Sequence, residues 1–209
     1  MITFKDKYGD LTGKTYKGPI QVRHLSLASL EGCPEEVVGS FDCSYNNLTS
    51  LEHAPKKVAL DFKCEDNVVE SLEGSPQIIG RTFSMNSNIL KSLVGGPTEV
   101  IGRYIVTNNE LTSLQGSPEK CKSFYCDNNK LTSLRGAPTY VDGIFDCTNN
   151  KTLKNVKQQI IQYGIIAIDY YTDEGDFTYD EISKEIETFK KRVTRPSMRA
   201  LLGLNKWKM

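Results

Sequence analysis

Proline returns at positions 34, 55, 76, 97, 118 and 138, at spacings of 21, 21, 21, 21 and 20 residues, and this period constrains the fold more than any other feature. Self-similarity of that length marks a solenoid, in which each short unit buries its apolar side only by stacking on its neighbours. An aromatic residue follows each proline, at Phe41, Phe62, Phe83, Tyr104, Phe124 and Phe145. Two residues later stands Cys43, Cys64, Met85, Val106, Cys126 or Cys147, and three beyond that an asparagine: Asn46, Asn67, Asn88, Asn109, Asn129 or Asn150. An L-x-S-L step then ends at Leu51, Leu72, Leu93, Leu114 and Leu134. The unit reads P-x-x-V-x-G-x-F-x-C-x-x-N-x-L-x-S-L-x-G-x.

Aligned on the asparagine, the F-x-C-x-x-N-x-L core matches the L-x-L-x-x-N-x-L half of a leucine-rich repeat. Residues 128–138 (NNKLTSLRGAP) resemble the short bacterial class of that family found in secreted effectors, and the resemblance covers about residues 20–156. The chain is also similar to leucine-rich-repeat proteins carried by large tailed phages. These resemblances imply a leucine-rich-repeat solenoid of the α/β class, curved, with a concave parallel sheet. They do not imply a function, because the fold serves many partners. The effector family's ubiquitin-ligase domain would need a further segment, so ligase activity is not expected.

The residues support the same architecture on physical grounds. Positions two apart in a strand share a face, so Phe41 and Cys43 and their equivalents point together into the coil. Each buried ring contributes on the order of 1.5–3 kcal/mol of transfer energy. Asparagine carries donors and an acceptor, which suits the column to satisfy backbone groups where the strand bends. The serines at 29, 50, 71, 92, 113 and 133 read as turn hydrogen-bonders, since no His or acid repeats with them. Proline and glycine recur on the convex side, which is expected to be extended or tight-turned. His53 stands where Gly32, Gly74, Gly95, Gly116 and Gly136 stand in other copies, so its turn is expected to differ.

Three regions follow. Residues 1–34 are a cap and a degenerate first repeat, with Ile20 and Val22 inward and Leu25 in the asparagine position. Ile2, Thr3 and Phe4, with turn signals at Gly9-Asp10 and Thr12-Gly13, suggest a small hairpin at the start. Residues 35–156 hold the clear repeats. Residues 157–209 are the last strand and a helical cap: a helix over residues 156–163 closed by Gly164, a strand over 165–170 (IIAIDY), and a second helix over 178–193. On that second helix Ile182, Ile186, Phe189 and Val193 share a face, with acids at its start and bases at its end. A short helix is expected over 198–202.

Composition excludes several functions. Among 209 residues, Lys+Arg 26 balance Asp+Glu 26, so no whole-protein field draws in nucleic acid or an anionic membrane. No apolar run reaches the roughly 20 residues of a membrane helix, and the first ten residues lack a secretory core, so a cytoplasmic protein is expected, in the host cytoplasm if phage-encoded. The six cysteines include no C-x-x-C pair, and four of them share the inward column. Stacking at about 4.8 Å would bring Cys43 near Cys64, but Met85 and Val106 fill the same column, so buried thiols are expected ahead of a disulfide or metal. With only His24 and His53 present, zinc is poorly supported, and no cofactor is expected. No P-loop, H-E-x-x-H or G-x-S-x-G motif occurs; residues 9–14 (GDLTGK) lack the P-loop spacing. The chain is not expected to be an enzyme.

The outward positions of the aromatic strands are the informative surface. Asp42, Lys63, Ser84, Ile105, Tyr125 and Asp146 follow the aromatic-strand pattern, and Arg103 and Ile144 precede their aromatics. Ile105, Tyr125 and Ile144 form an apolar centre flanked by Arg103, Asp127 and Asp146, the anatomy of a protein-binding hot spot, unless the C-terminal segment covers it. The expected role is a non-catalytic interaction module whose concave face grips another protein; in a phage setting it would inhibit or redirect a host protein, including a defence system. The alternatives are a self-assembling structural component, or nucleic-acid binding through a basic tail that includes Lys190, Lys191, Arg192, Arg195 and Trp207. Such a tail is more often a solvated helix end balanced by the acids of residues 173–187.

Overall fold

The computed structural model describes residues 2–193, which form a parallel β-solenoid with turns of about 21 residues. Each coil contributes one short strand to a nine-stranded aromatic sheet, beginning with Ile20–Gln21 and continuing through Phe41–Asp42, Phe62–Lys63, Phe83–Ser84, Arg103–Ile105, Ser123–Tyr125 and Ile144–Asp146. The coils stack in register, with Phe41 beside Phe62, Phe83, Tyr104, Phe124 and Phe145 in succession. The proline-to-valine stretch is extended, as expected, and pairs into a second parallel sheet. Its strands run from Thr15–Lys17 through Glu36–Val38, Lys57–Val58 and Ile78–Ile79 to Glu99–Val100, with Lys120–Cys121 and Tyr140–Val141 paired beyond. Val37, Val58, Ile79, Val100 and Val141 point inward from it and are buried.

The aromatic column forms one ladder. Ring centroids lie 5.8 Å apart from Phe41 to Phe62 and from Phe62 to Phe83, 5.3 Å from Tyr104 to Phe124, and 5.7 Å from Phe124 to Phe145. Beside it the Cys43, Cys64, Met85, Val106, Cys126 and Cys147 column is buried throughout, and all six cysteines of the chain are free thiols.

Asparagine ties each coil to the one before. In Asn67, Asn88, Asn109, Asn129 and Asn150 the Oδ1 atom accepts the backbone N–H of Leu48, Val69, Leu90, Leu111 and Leu131 respectively, each at 3.0 Å. The Nδ2 group donates back to a carbonyl of the preceding coil, as from Asn88 to Cys64 at 2.8 Å and from Asn109 to Met85 at 3.0 Å. It also donates within its own coil, Asn88 to Met85 at 3.2 Å and Asn150 to Cys147 at 2.9 Å. The residue before each of these asparagines is left-handed, with φ of 49–58° at Tyr45, Asp66, Ser87, Asn108, Asn128 and Asn149. The serine column also does what its sequence suggests: the Oγ of Ser29, Ser50, Ser71, Ser92 and Ser133 accepts the N–H two residues on.

Three expectations are corrected. His53 does not change its turn: it adopts φ 65°, and the N–H of Ala54 donates to Leu51 O at 3.0 Å as its counterparts do in the glycine-bearing coils. The neighbouring coils impose that turn, at a backbone cost of about 1–2 kcal/mol for a residue with a Cβ. The N-terminus is not a hairpin. Ile2–Thr3 lies parallel to Leu27–Ser29, helix α1 (Phe4–Tyr8) follows a Thr3/Asp6 capping box, and Thr15–Lys17 lies parallel to Glu36–Val38. Strands beside a parallel stack gain more hydrogen bonds from the next coil than from each other, and α1 places the buried Phe4 ring 6.4 Å from Phe41.

The third correction concerns the last coil. Helix α2 (Val156–Tyr163) forms and ends at left-handed Gly164, as its sequence indicates. The strand is Asp169–Tyr171, however, and Tyr170, not Ile166, pairs with Phe145. Ile166 instead bridges Tyr140 in the line of the second sheet. The helix lengthens the coil, and the Tyr170 hydroxyl fixes the new register by donating to Ile165 O at 2.9 Å and accepting the Ala167 N–H at 2.8 Å. Phe177–Thr178 closes the sheet antiparallel, and helix α3 (Tyr179–Val193) follows, with Ile182 and Ile186 buried. The expected helix at 198–202 lies outside the described residues. No helix among the described residues is long and apolar enough to cross a membrane.

Carboxylates close this end. Asp173 accepts the N–H of Asn149 at 2.7 Å and of Asn150 at 3.0 Å, and Glu174 accepts those of Asn155 and Val156 at 2.7 and 2.8 Å, capping α2. The acidic loop therefore supplies acceptors that a further coil would otherwise provide.

Two stability measurements follow. Asn88→Ala strands a buried N–H and carbonyls, so it is expected to cost roughly 2–4 kcal/mol in urea unfolding, while Asn47→Ala, an exposed neighbour of the column, costs about 0.5 kcal/mol or less. Tyr104 carries the one buried side-chain oxygen without a hydrogen-bond partner among the described residues. A Cβ built on Gly96 would lie 3.0 Å from that oxygen. Tyr104→Phe should therefore stabilise the fold by about 1 kcal/mol, and Gly96→Ala should cost less in the Tyr104→Phe background than in wild type.

Candidate binding surface

Side chains alternate along the aromatic strands, so the row beside the buried rings faces outward. In that row Ile105 sits directly opposite Tyr125, Tyr125 opposite Asp146, and Asp146 opposite Tyr171. Ile144 lies on the same outward face two residues before Asp146, opposite Asp169. Ile105, Tyr125, Ile144 and Tyr171 are each half-buried, while Arg103, opposite Ser123, is exposed and makes no ion pair among the described residues. Ile105, Tyr125 and Ile144 are thus brought together. Lys63 is not part of that cluster: it lies in the same row but between Asp42 and Ser84.

The two halves of this face differ in how their charges are settled. Towards the N-terminus, Arg23 lies 3.6 Å from Asp42, and Arg81 holds the buried Asp61 through two hydrogen bonds, the Nε–Oδ1 one at 2.7 Å. The Arg81 guanidinium, with a further bond from Thr82, holds the Asp61 carboxyl below the usual carboxylate range. Ser84 donates to Glu65 at 2.7 Å. Towards the C-terminus Asp127, Asp146 and Asp169 have no ion pair among the described residues. Asp127 accepts from the adjacent Asn128 side chain at 2.7 Å, and Asp146 from Thr148 at 2.8 and 3.0 Å through the same oxygen. Burial pushes the Asp127 carboxyl up, and the Asp146 charge adds to the shift.

The basic residues proposed for nucleic acid do not converge on this face. Lys190, Lys191 and Arg192 occupy the last turn of α3, where Lys190 lies 3.5 Å from Glu187 and Arg192 borders a cavity of about 350 Å³ between α2 and α3. Arg195 and Trp207 lie outside the described residues.

Two features escaped the sequence reading. Tyr171 joins the apolar row because the longer last coil moves the strand to it. The second sheet also exposes separate apolar side chains, Val38, Ile78 and Ile101, the last by 66 %, with Ile78 lying between Lys57 and Glu99. The expectation that this side is extended or tight-turned did not say which of its residues face outward; in the doublet Ile78-Ile79 the first is exposed and the second buried.

The cysteine column offers little reactivity. Burial raises the thiols of Cys33, Cys43, Cys126 and Cys147 well above their ordinary range and pushes Cys121 up to about 12. Cys43 and Cys126 donate instead to the carbonyls of Lys63 and Asp146, each at 3.3 Å. No group of three or more His, Cys, Asp or Glu side chains among the described residues is placed to hold a metal ion.

Asp61 and Asp127 should show opposite pH behaviour. The lowered pKa of Asp61 contributes stability above about pH 4 that is lost as pH falls through the folded value, so Asp61→Asn destabilises most at pH 7. The raised pKa of Asp127 gives the reverse sign: its ionised form is disfavoured in the folded state, so Asp127→Asn stabilises at pH 7, and the gain disappears as pH falls below about 4. Urea midpoints at pH 7 and pH 3 check both.

No protein-family model matches the chain, and neither do any curated protein or solved structure.

Proposed function

We propose that this chain is a leucine-rich-repeat interaction protein, without catalysis of its own, that grips another protein through the outward face of the aromatic sheet around Tyr125. The observation that carries the reading is the row itself: Ile105, Tyr125 and Tyr171, with Ile144 beside them, interrupt positions that are polar in the earlier coils. Solvent-facing apolar and aromatic groups on a rigid sheet, rimmed by polar ones, are the usual anatomy of a hot spot. The leucine-rich-repeat assignment is favoured by the asparagine that follows each strand and the leucine step after it. The non-catalytic reading is favoured by the buried thiols and by the separation of the two histidines, His24 and His53, on different coils. A host protein as the target rests on the phage resemblance alone.

Self-assembly is a second reading, favoured by the N-terminal end, where the edge strand Thr15–Lys17 is exposed throughout and Tyr8 ends the ring stack half-exposed, 5.0 Å from Phe4. Affinity capture with wild type and with Ile105→Asp/Tyr125→Ala, identified by mass spectrometry, separates the two. A specific partner lost by the variant, at roughly 30-fold or greater weakening, supports the proposal. Unchanged capture overturns the site, and a discrete concentration-dependent oligomer in light scattering that persists in the variant favours assembly.

A further inference from the structure

We infer that the face around Tyr125 is shaped for a cationic, apolar segment of a partner protein, in which arginine or lysine flanks an aliphatic or aromatic side chain. The inference rests on the proposed function and adds the chemistry of the partner. Its basis is the unequal settlement of charge along one sheet. In the earlier coils two outward acids have their own bases, Arg23 for Asp42 and Arg81 for Asp61, and Glu65, the counterpart of Asp127, accepts the Ser84 hydroxyl of the next coil. In the later coils Asp127, Asp146 and Asp169 surround Tyr125 and Ile144 without an ion pair among the described residues, and Arg103 is the one base in the same rows.

The hydrogen bonds point the same way. Asp127 uses Oδ2 for Asn128, and Asp146 uses Oδ1 for Thr148, which leaves one oxygen of each carboxylate available to a ligand. Asp127 is also partly desolvated and feels the charge of Asp146, so two like charges act on one another on this face without an ion pair to either among the described residues. A guanidinium or ammonium placed there would relieve that repulsion and form charge-assisted bonds, while a side chain beside it covers the Tyr125 ring. An acidic or purely apolar partner would leave the pair unneutralised, which gives the face a means of rejecting wrong partners.

The chain's own residues beyond 193 have similar chemistry, with Arg195, Arg199, Lys206 and Lys208 and no acid, so occupation of the face in cis is the competing outcome. Fluorescence anisotropy on the full chain tests the inference with three synthetic decapeptides: arginine alternating with leucine around one tryptophan, the same peptide with glutamate for arginine, and the same with serine for leucine and tryptophan. The first should bind, weaken as salt rises from 50 to 500 mM, and lose roughly tenfold or more in affinity to Asp127→Asn/Asp146→Asn. Both substitutions keep the oxygen that Asn128 or Thr148 bonds, so the fold is retained.

Equal binding of the glutamate peptide, or undiminished binding by the double variant, overturns the inference. So does carbodiimide coupling of Lys206 or Lys208 to Asp127 or Asp146 within a monomer. The partner captured in the previous experiment separates this failure from that of the functional reading. A partner lost with Tyr125→Ala yet retained with Asp127→Asn/Asp146→Asn overturns the charge inference alone, and one retained by both overturns the face as a whole.

Discussion

Every coil of this protein depends on one side chain that reaches across to its neighbour. The asparagine after each aromatic strand accepts a backbone N–H from the preceding coil and donates to carbonyls on both, so side-chain hydrogen bonds close the sharp bend after the strand. Buried backbone groups at a bend are otherwise costly, by about 1–3 kcal/mol each. Because that bend is hydrogen-bonded, the aromatic and cysteine columns can stack in register along the whole sheet. The cost is borne one residue earlier, where the chain turns left-handed even at Tyr45, a bulky residue for that region.

Departures from the repeat are accommodated by neighbours, not by local relaxation. His53 keeps the glycine turn because its coil is held on both sides. Tyr104 keeps the phenylalanine place because Gly96 leaves room above its hydroxyl. At the ends the same logic brings in different groups: α1 covers the first ring with Phe4, and Asp173 and Glu174 accept N–H groups that no further coil is there to bond. The acids of residues 173–176, which read in sequence as a solvated stretch balancing the basic tail, include two structural caps.

The aromatic sheet presents a surface divided between polar coils, where Asp42 and Asp61 are paired with arginines, and coils where Ile105, Tyr125 and Ile144 stand beside acids without an ion pair among the described residues. A rigid stack suits recognition, since side chains on consecutive coils stay at fixed spacing and need little ordering when a partner arrives. Ile105, Tyr125 and Ile144 were legible in the sequence because a period of two within a known repeat assigns each position to a face. Tyr171 was not, because its place depends on how many residues α2 inserts into the last coil. The exposed Val38, Ile78 and Ile101 were equally hidden, because which extended residues of the second sheet face outward depends on how its coils pair.

The sequence by itself determined the period, the inward columns, the role of asparagine and the two C-terminal helices, because these follow from local spacing and from what each side chain can bond. Only the tertiary structure decided which residue fills the last rung, how the N-terminus pairs, and which surface charges are neutralised. Those outcomes turn on contacts between coils. Tyr170 takes the rung because its hydroxyl completes the turn before it, and the two acids shift in opposite directions because Arg81 reaches Asp61 from the next coil while burial and the Asp146 charge act on Asp127.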